Sequence, residues 1–143
     1  MKLADFSRKY LNDIIEIEKL SFERPWTQDM FIASASNKKV NFKVALENGA
    51  VAGYCLYWII AGETEILNIA VCPLRRRRSY AKAMLADVIT KSQKENSKAV
   101  FLDVRSDNEA AKKLYFSAGF EQIGVRKKYY KNKDALLLRK NLQ

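Results

Sequence analysis

Histidine is absent from all 143 residues. Its absence removes a histidine general base, every Ser-His-Asp or Cys-His catalytic set, and the commonest metal ligand. Acid–base chemistry must then fall to Asp, Glu, Tyr, Lys, Cys or water. Cysteine is scarce. Cys55 and Cys72 lie far apart and form no CxxC pair, which argues against a disulfide framework or a zinc site and fits a reducing, cytoplasmic setting. The two prolines, Pro25 and Pro73, sit at apparent element boundaries. The longest apolar run, "VAGYCLYWIIAG", is too short to span a bilayer and reads as a buried strand. The opening "MKLADFSRKY" is charged throughout, without the apolar stretch of a signal peptide, so no membrane partner is expected. Acidic residues are outnumbered 16 to 26 by Lys and Arg. The resulting net charge of +10 points to an anionic partner, whether RNA, a ribosome or a small phosphate.

What is present suits one globular domain over residues 1–143, with no repeat, low-complexity tract or linker. After a short strand near Lys2 to Ala4, apolar residues at Tyr10, Leu11, Ile14, Ile17 and Leu20 have helical spacing, with Ser7 as its cap. "RPW" breaks that helix, and Thr27 opens a second through about Ala35. Two β-rich runs flank Glu47-Asn48-Gly49, a tight hairpin signal, and a turn at Gly62-Glu63 leads to the strand "TEILNIAV". A helix follows with Ala81, Met84, Leu85, Val88 and Ile89 on its apolar face. "KAVFLDV" is a strand with both faces covered. "NEAAKKLYFSAG" is a helix with Asn108 near its start and Gly119 as its stop, and two strands close the chain. The order β-α-α-β-β-β-α-β-α-β-β is an α/β fold, one mixed sheet covered by helices.

The stretch "CPLRRRRSYAKAML" is a chemical landmark. A buried strand ends, the chain turns at Pro73, and a helix begins near Arg78 or Ser79. The first N–H groups of that helix have no partner within it, and its dipole adds positive charge there. A pyrophosphate suits such a site, and adjacent arginines reinforce the field. Alone, an arginine run reads as a solvated helix end or a nucleic-acid patch. Successive residues point in different directions, so only some of the four side chains would face a ligand.

Arg76-Arg77-Arg78-Ser79-Tyr80-Ala81 resembles the acetyl-CoA signature of the GNAT superfamily of N-acetyltransferases, Gln/Arg-x-x-Gly-x-Gly/Ala after a strand. A second block resembles the family's Arg-x-x-Asn-x-x-Ala-x-x-Leu-Tyr-x-x-x-Gly-Phe stretch, matched by Arg105, Asn108, Ala111, Leu114, Tyr115, Gly119 and Phe120. With the closing "VRKKYY", the likeness covers nearly the whole chain and is greatest to the RimI-type ribosomal-protein-alanine N-acetyltransferases. The resemblance implies a single GNAT-type domain: a central mixed, mostly antiparallel sheet, flanked by helices, with splayed central strands.

It also implies roles. Acetyl-CoA would be the co-substrate, with no metal. Arg76, Arg77, Arg78, Ser79, Tyr80, Ala81 and Lys82 would cradle its diphosphate. The backbone of Ile69, Ala70 and Val71 would take the pantetheine like an added strand. Asn108 would contact the same arm, or simply cap its helix. At position 79 the pattern has glycine, which lets backbone approach a phosphate; serine costs room but brings a hydroxyl. Where the pattern has a glutamate that takes a proton from the amine, this chain has Asp103, one methylene shorter, which a bridging water would extend. Glu63 and Glu65 are alternative bases, and Asp103 could instead cap backbone or pair with Arg105. Tyr115 would protonate the departing thiolate. Trp26, Tyr129 and Tyr130 are candidates for the acceptor groove, although aromatics there can equally be core, and the "KNKD" loop is shorter than in the bacterial enzymes.

The expected function is acetyl transfer to a protein N-terminal α-amine, the leading acceptor being the N-terminal alanine of a small-subunit ribosomal protein, with possible ribosome association and no specific nucleic acid. The alternatives are another amine (a Lys side chain, a polyamine or a small molecule) or a non-enzymatic RNA- or ribosome-binding module.

Overall fold

The element order matches the one read from the periodicity. The computed structural model describes residues 1–76, 79–130 and 132–143, with Tyr130 described by its backbone only. In chain order these are β1 (Lys2–Asp5), α1 (Leu11–Ser21), α2 (Gln28–Ser36), β2 (Val40–Glu47), β3 (Ala50–Ile60), β4 (Glu63–Val71), α3 (Tyr80–Lys94), β5 (Ala99–Arg105), α4 (Glu109–Ser117), β6 (Glu121–Tyr130) and β7 (Lys133–Asn141). The strands form one seven-stranded mixed sheet in the order β1-β2-β3-β4-β5-β7-β6, with β4 and β5 parallel. The architecture is α/β, a sheet with flanking helices.

The chain divides into two compact units. The first comprises Met1–Trp58 and Ile66–Thr90. Its core joins Leu11, Ile14 and Ile17 of α1 to Phe31 of α2, Phe42 and Val44 of β2, and Tyr54 and Leu56 of β3. Phe31 sits centrally, edge-on to Tyr54 at 5.7 Å and tilted to Trp26 at 5.2 Å. Met84, Leu85 and Val88 of α3 are buried, as their spacing predicts. The β2–β3 hairpin closes through Asn48 and Gly49 at φ +51° and +82°, the pair of left-handed residues that an Asn-Gly turn supplies. Gly53 has a different reason. A Cβ there would stand 2.6 Å from the Ala70 carbonyl oxygen, so β3 and β4 reach their spacing only with glycine at that point.

The second unit comprises Ile59–Glu65 and Lys91–Gln143. Here the ladder between β4 and β5 pairs Glu63, Thr64 and Glu65 with Ala99, Val100 and Phe101. β7 lies between β5 and β6, pairing antiparallel with both. No residue of β5 is exposed, as its apolar run predicts. Thr64, Ser92 and Ser97, all buried, satisfy one another through hydroxyl contacts of 2.7 and 2.9 Å. Gly119 ends α4 at φ +93°, and Phe120 N–H donates to the Tyr115 carbonyl.

Three local expectations are corrected. Ser7 does not cap α1: its side chain makes no capping bond, and a 3₁₀ turn at Arg8–Tyr10 precedes the helix. Leu20 is not on the buried face, being 68% exposed, and Glu18 takes that place at 1%. At about 100° per residue, Glu18 falls about 40° from the centre of the Leu11-Ile14-Ile17 face and Leu20 about 120° from it. The turn after β3 uses Ala61 and Gly62, at φ +52° and +78°, rather than Gly62-Glu63. Glu63 is thereby free to begin the β4 ladder.

Candidate active site

In the first unit, β4 delivers Ile69, Ala70 and Val71 to the arginine turn. Cys72 N–H donates to the Ala52 carbonyl at 2.7 Å, and Pro73–Arg75 form a 3₁₀ turn. The arginines then diverge. Arg75 Nε lies 3.6 Å from Glu47 Oε1 and Nη1 lies 3.8 Å from Cys72 Sγ, so this side chain is held at the strand end. Arg76 is exposed, with Nη2 3.3 Å from Ser21 Oγ at the end of α1. Arg77 and Arg78 lie outside the described residues. Ser79 adopts φ +65°, the left-handed region that glycine occupies without strain, and its carbonyl accepts the Ala83 N–H. It replaces the glycine of the pattern by adopting a conformation typical of glycine. α3 opens at Tyr80, whose side chain is buried; Ala81 is half-buried and Lys82 exposed. The N–H groups of this first turn have no intrahelical acceptors.

Trp26, also in this unit, is half-buried against Phe31, and its backbone N–H donates to Glu18 Oε2 at 2.8 Å. Its ring packs on the edge of the core with part of the residue left accessible, while its backbone belongs to the turn into α2.

In the second unit, Asp103 projects from β5 opposite Leu137 of β7. Its Oδ1 is buried and accepts no hydrogen bond from any described residue; Arg126 Nε of β6 stands 3.6 Å away. Burial raises the Asp103 carboxyl above its ordinary value, and the Arg126 charge opposes that rise. Arg105 does not pair with Asp103 but forks onto Asp107, through Nε and Nη2 at 2.8 Å each. Arg126 also lies over the Tyr129 ring at 5.5 Å, which links the half-exposed Tyr129 to Asp103. Tyr130's side chain lies outside the description.

Asn108 caps α4, its Oδ1 accepting the Ala111 N–H at 3.1 Å. Tyr115 is 6% exposed and edge-on to Phe120 at 5.7 Å. Glu63 and Glu65 are exposed on the β4 ladder. The unit thus brings together Asp103, Arg126 and Tyr129. Arg126 was missed from sequence because only the β5-β7-β6 strand order carries it near Asp103. Glu18 was also missed, though its i+7 spacing from Leu11 was a usable signal.

Residues 11–120 match the family model for the acetyltransferase (GNAT) family. The chain belongs to the GNAT acetyltransferase family. A relative of this GNAT protein in Bacillus subtilis is 33% identical over 96% of this chain and 90% of its own, and its name gives ribosomal protein bS18-alanine N-acetyltransferase as a provisional activity. Another, from Haemophilus ducreyi, is 32% identical over 86% of this chain and 84% of its own, and is named a ribosomal protein bS18-alanine N-acetyltransferase. The crystal structure of the ribosomal-protein-S18-alanine N-acetyltransferase from Escherichia coli shares the fold at a TM-score of 0.90, with 24% identity over 99% of this chain and 94% of that one. The GNAT protein described here is an N-acetyltransferase, and the reading as a non-enzymatic module falls away.

Proposed function

We propose that this N-acetyltransferase, one domain over residues 1–143, moves acetyl from acetyl-CoA to the N-terminal α-amine of a protein, its acceptor being the N-terminal alanine of a small-subunit ribosomal protein. The observation that carries this reading is the pair of relatives, 33% and 32% identical over most of both chains, that are named for that acceptor. Asp103 takes a proton from the incoming ammonium, directly or through one water. The free amine attacks the thioester carbonyl, the C–S bond breaks, and Tyr115 supplies the proton that the CoA sulfur gains; the second proton, lost by the nitrogen as the amide forms, passes to water, and the phenol is reprotonated from solvent. A buried carboxylate oxygen that accepts no hydrogen bond from a described residue, on a carboxyl whose pKa burial raises, supports the base assignment. A positioned amine is a sufficient nucleophile once deprotonated, so no histidine is needed.

On the donor side, the helix start at Ser79, Tyr80, Ala81 and Lys82 presents N–H groups to the diphosphate, with Arg76 beside it. Arg77 and Arg78 complete the set by the same reading. Ile69, Ala70 and Val71 hold the pantetheine through backbone groups, and Asn108 adds a contact through its amide while its oxygen caps α4. By the same reading Trp26 and Tyr129 contact the acceptor peptide, and Tyr130 is the third candidate.

The test is an acceptor screen. Peptides beginning Ala, Ser or Met, one with a blocked N-terminus and an internal Lys, and a polyamine are incubated with enzyme and acetyl-CoA, then analysed by mass spectrometry. Acetyl on the α-amine of the Ala peptide is expected. Acetylation of the Lys side chain or the polyamine alone would replace this reading.

A further inference from the structure

Glu18 is the only charged residue that the fold buries among the described residues, at 1% exposure on the apolar face of α1. A helix needing only stability would be served by an aliphatic side chain there, since a buried carboxylate gives up its hydration and must be repaid by donors. Three donors meet it, each from a different stretch of chain. Tyr54 of β3 donates its hydroxyl to Oε1 at 2.6 Å, Asn68 of β4 its amide to Oε1 at 2.9 Å, and Trp26 its backbone N–H to Oε2 at 2.8 Å. Burial, with the Glu18 carboxylate beside it, drives the Tyr54 phenol far up, so the hydroxyl stays a donor.

The same residue acts through its backbone. The Glu18 carbonyl accepts the Phe22 N–H at 3.1 Å while its carboxylate holds the Trp26 N–H, so Glu18 grips both ends of the segment Phe22-Glu23-Arg24-Pro25-Trp26. Pro25 has no N–H to offer and disfavours helical geometry at Arg24, which keeps this segment from simply extending α1. Beyond it Thr27 caps α2 by accepting the Met30 N–H. At the far side of the carboxylate, Asn68 immediately precedes Ile69, Ala70 and Val71 on β4. A second tie runs parallel, from Ser21 at the end of α1 to Arg76.

We infer that Glu18 is a positioning residue for the acceptor, its carboxylate fixing the 22–26 segment and Trp26 at a set height along β4 and so aligning the incoming N-terminus with the acetyl donor. This rests on the reading above that Trp26 belongs to the acceptor groove and that Ile69 to Val71 hold the pantetheine.

The experiment measures separate KM values for an Ala-initiated peptide and for acetyl-CoA. In Glu18→Gln one oxygen becomes a donor, so three donors can no longer all be accepted. Loss of a charged hydrogen bond at a positioning site is expected to raise the peptide KM about tenfold, with the acetyl-CoA KM within about twofold. Adding Asn68→Asp restores a matched donor–acceptor pair and should recover most of the peptide KM. Tyr54→Phe removes one donor without changing shape, and should raise the peptide KM about threefold; it decides the matter if Glu18→Gln does not fold. A peptide KM unmoved in these variants, or both KM values rising in parallel, overturns the inference and leaves Glu18 a purely structural residue. Wild-type protein that acetylates no N-terminal peptide overturns the proposed function, and this inference with it.

Discussion

Asp103 works in a balance between two opposed influences. Burial raises its carboxyl and the Arg126 guanidinium, 3.6 Å away, lowers it, with burial the larger. As the proposed base, Asp103 must be deprotonated, so the rate is expected to fall as pH drops through this raised value. Removing the cation leaves burial unopposed. In Arg126→Gln the acidic limb of kcat/KM is therefore expected to move toward neutral pH, with a several-fold loss at pH values just below it and little change on the plateau. A pH profile of both enzymes checks this, because the acceptor amine titrates identically in each. A limb that stays in place, or moves to lower pH, would remove Asp103 as the base. Asp103 and Tyr115 were nominated by their place in the motifs, Asp103 as a departure from the pattern's glutamate. Arg126 was not, because a cross-sheet neighbour is set by strand order.

At the scale of elements, the turn into α3 shows what a substitution in a pattern means physically. A non-glycine residue in the left-handed region costs about 1–2 kcal/mol. Glycine at the same place costs about 0.5–1 kcal/mol more chain entropy on folding. With Ser79 at φ +65°, Ser79→Gly should then stabilise the protein by about 0.5–1 kcal/mol, read as a higher urea midpoint at unchanged slope. A lower midpoint would mean that the serine hydroxyl outweighs the strain. α1 teaches the complementary lesson. Its existence was legible in Leu11, Ile14 and Ile17, yet its face was misjudged, because hydrophobicity alone favoured Leu20 over Glu18. The 100° step already sets Glu18 nearer that face than Leu20, and donors supplied by Tyr54, Asn68 and Trp26 make its burial tolerable. Tyr54 and Asn68 lie far along the chain, outside any local window.

Across the whole molecule, the net charge of +10 is a long-range field on an anionic co-substrate. Raising ionic strength from about 0.01 M to about 0.15 M shortens the Debye length from about 30 Å to about 8 Å. Association of acetyl-CoA should slow by about tenfold or more over that range, with a much smaller change in its dissociation, as stopped-flow mixing would read. A salt-independent association rate would confine the charge's effect to direct contacts. Among the described residues no helix is long and apolar enough to cross a membrane.

By itself the sequence determined the element order, the apolar face of α3, the Asn48-Gly49 turn, the Gly119 stop of α4 and the family. Each of these is written in residues a few positions apart, where periodicity, φ preference and capping act. Only the tertiary structure decided that β7 enters between β5 and β6, that Arg126 faces Asp103, that Gly53 is required by the Ala70 carbonyl, and that Glu18 is buried. Those facts depend on which distant strands become neighbours. That choice is made by the burial of whole faces and the satisfaction of their polar groups at once, not by any one stretch of chain.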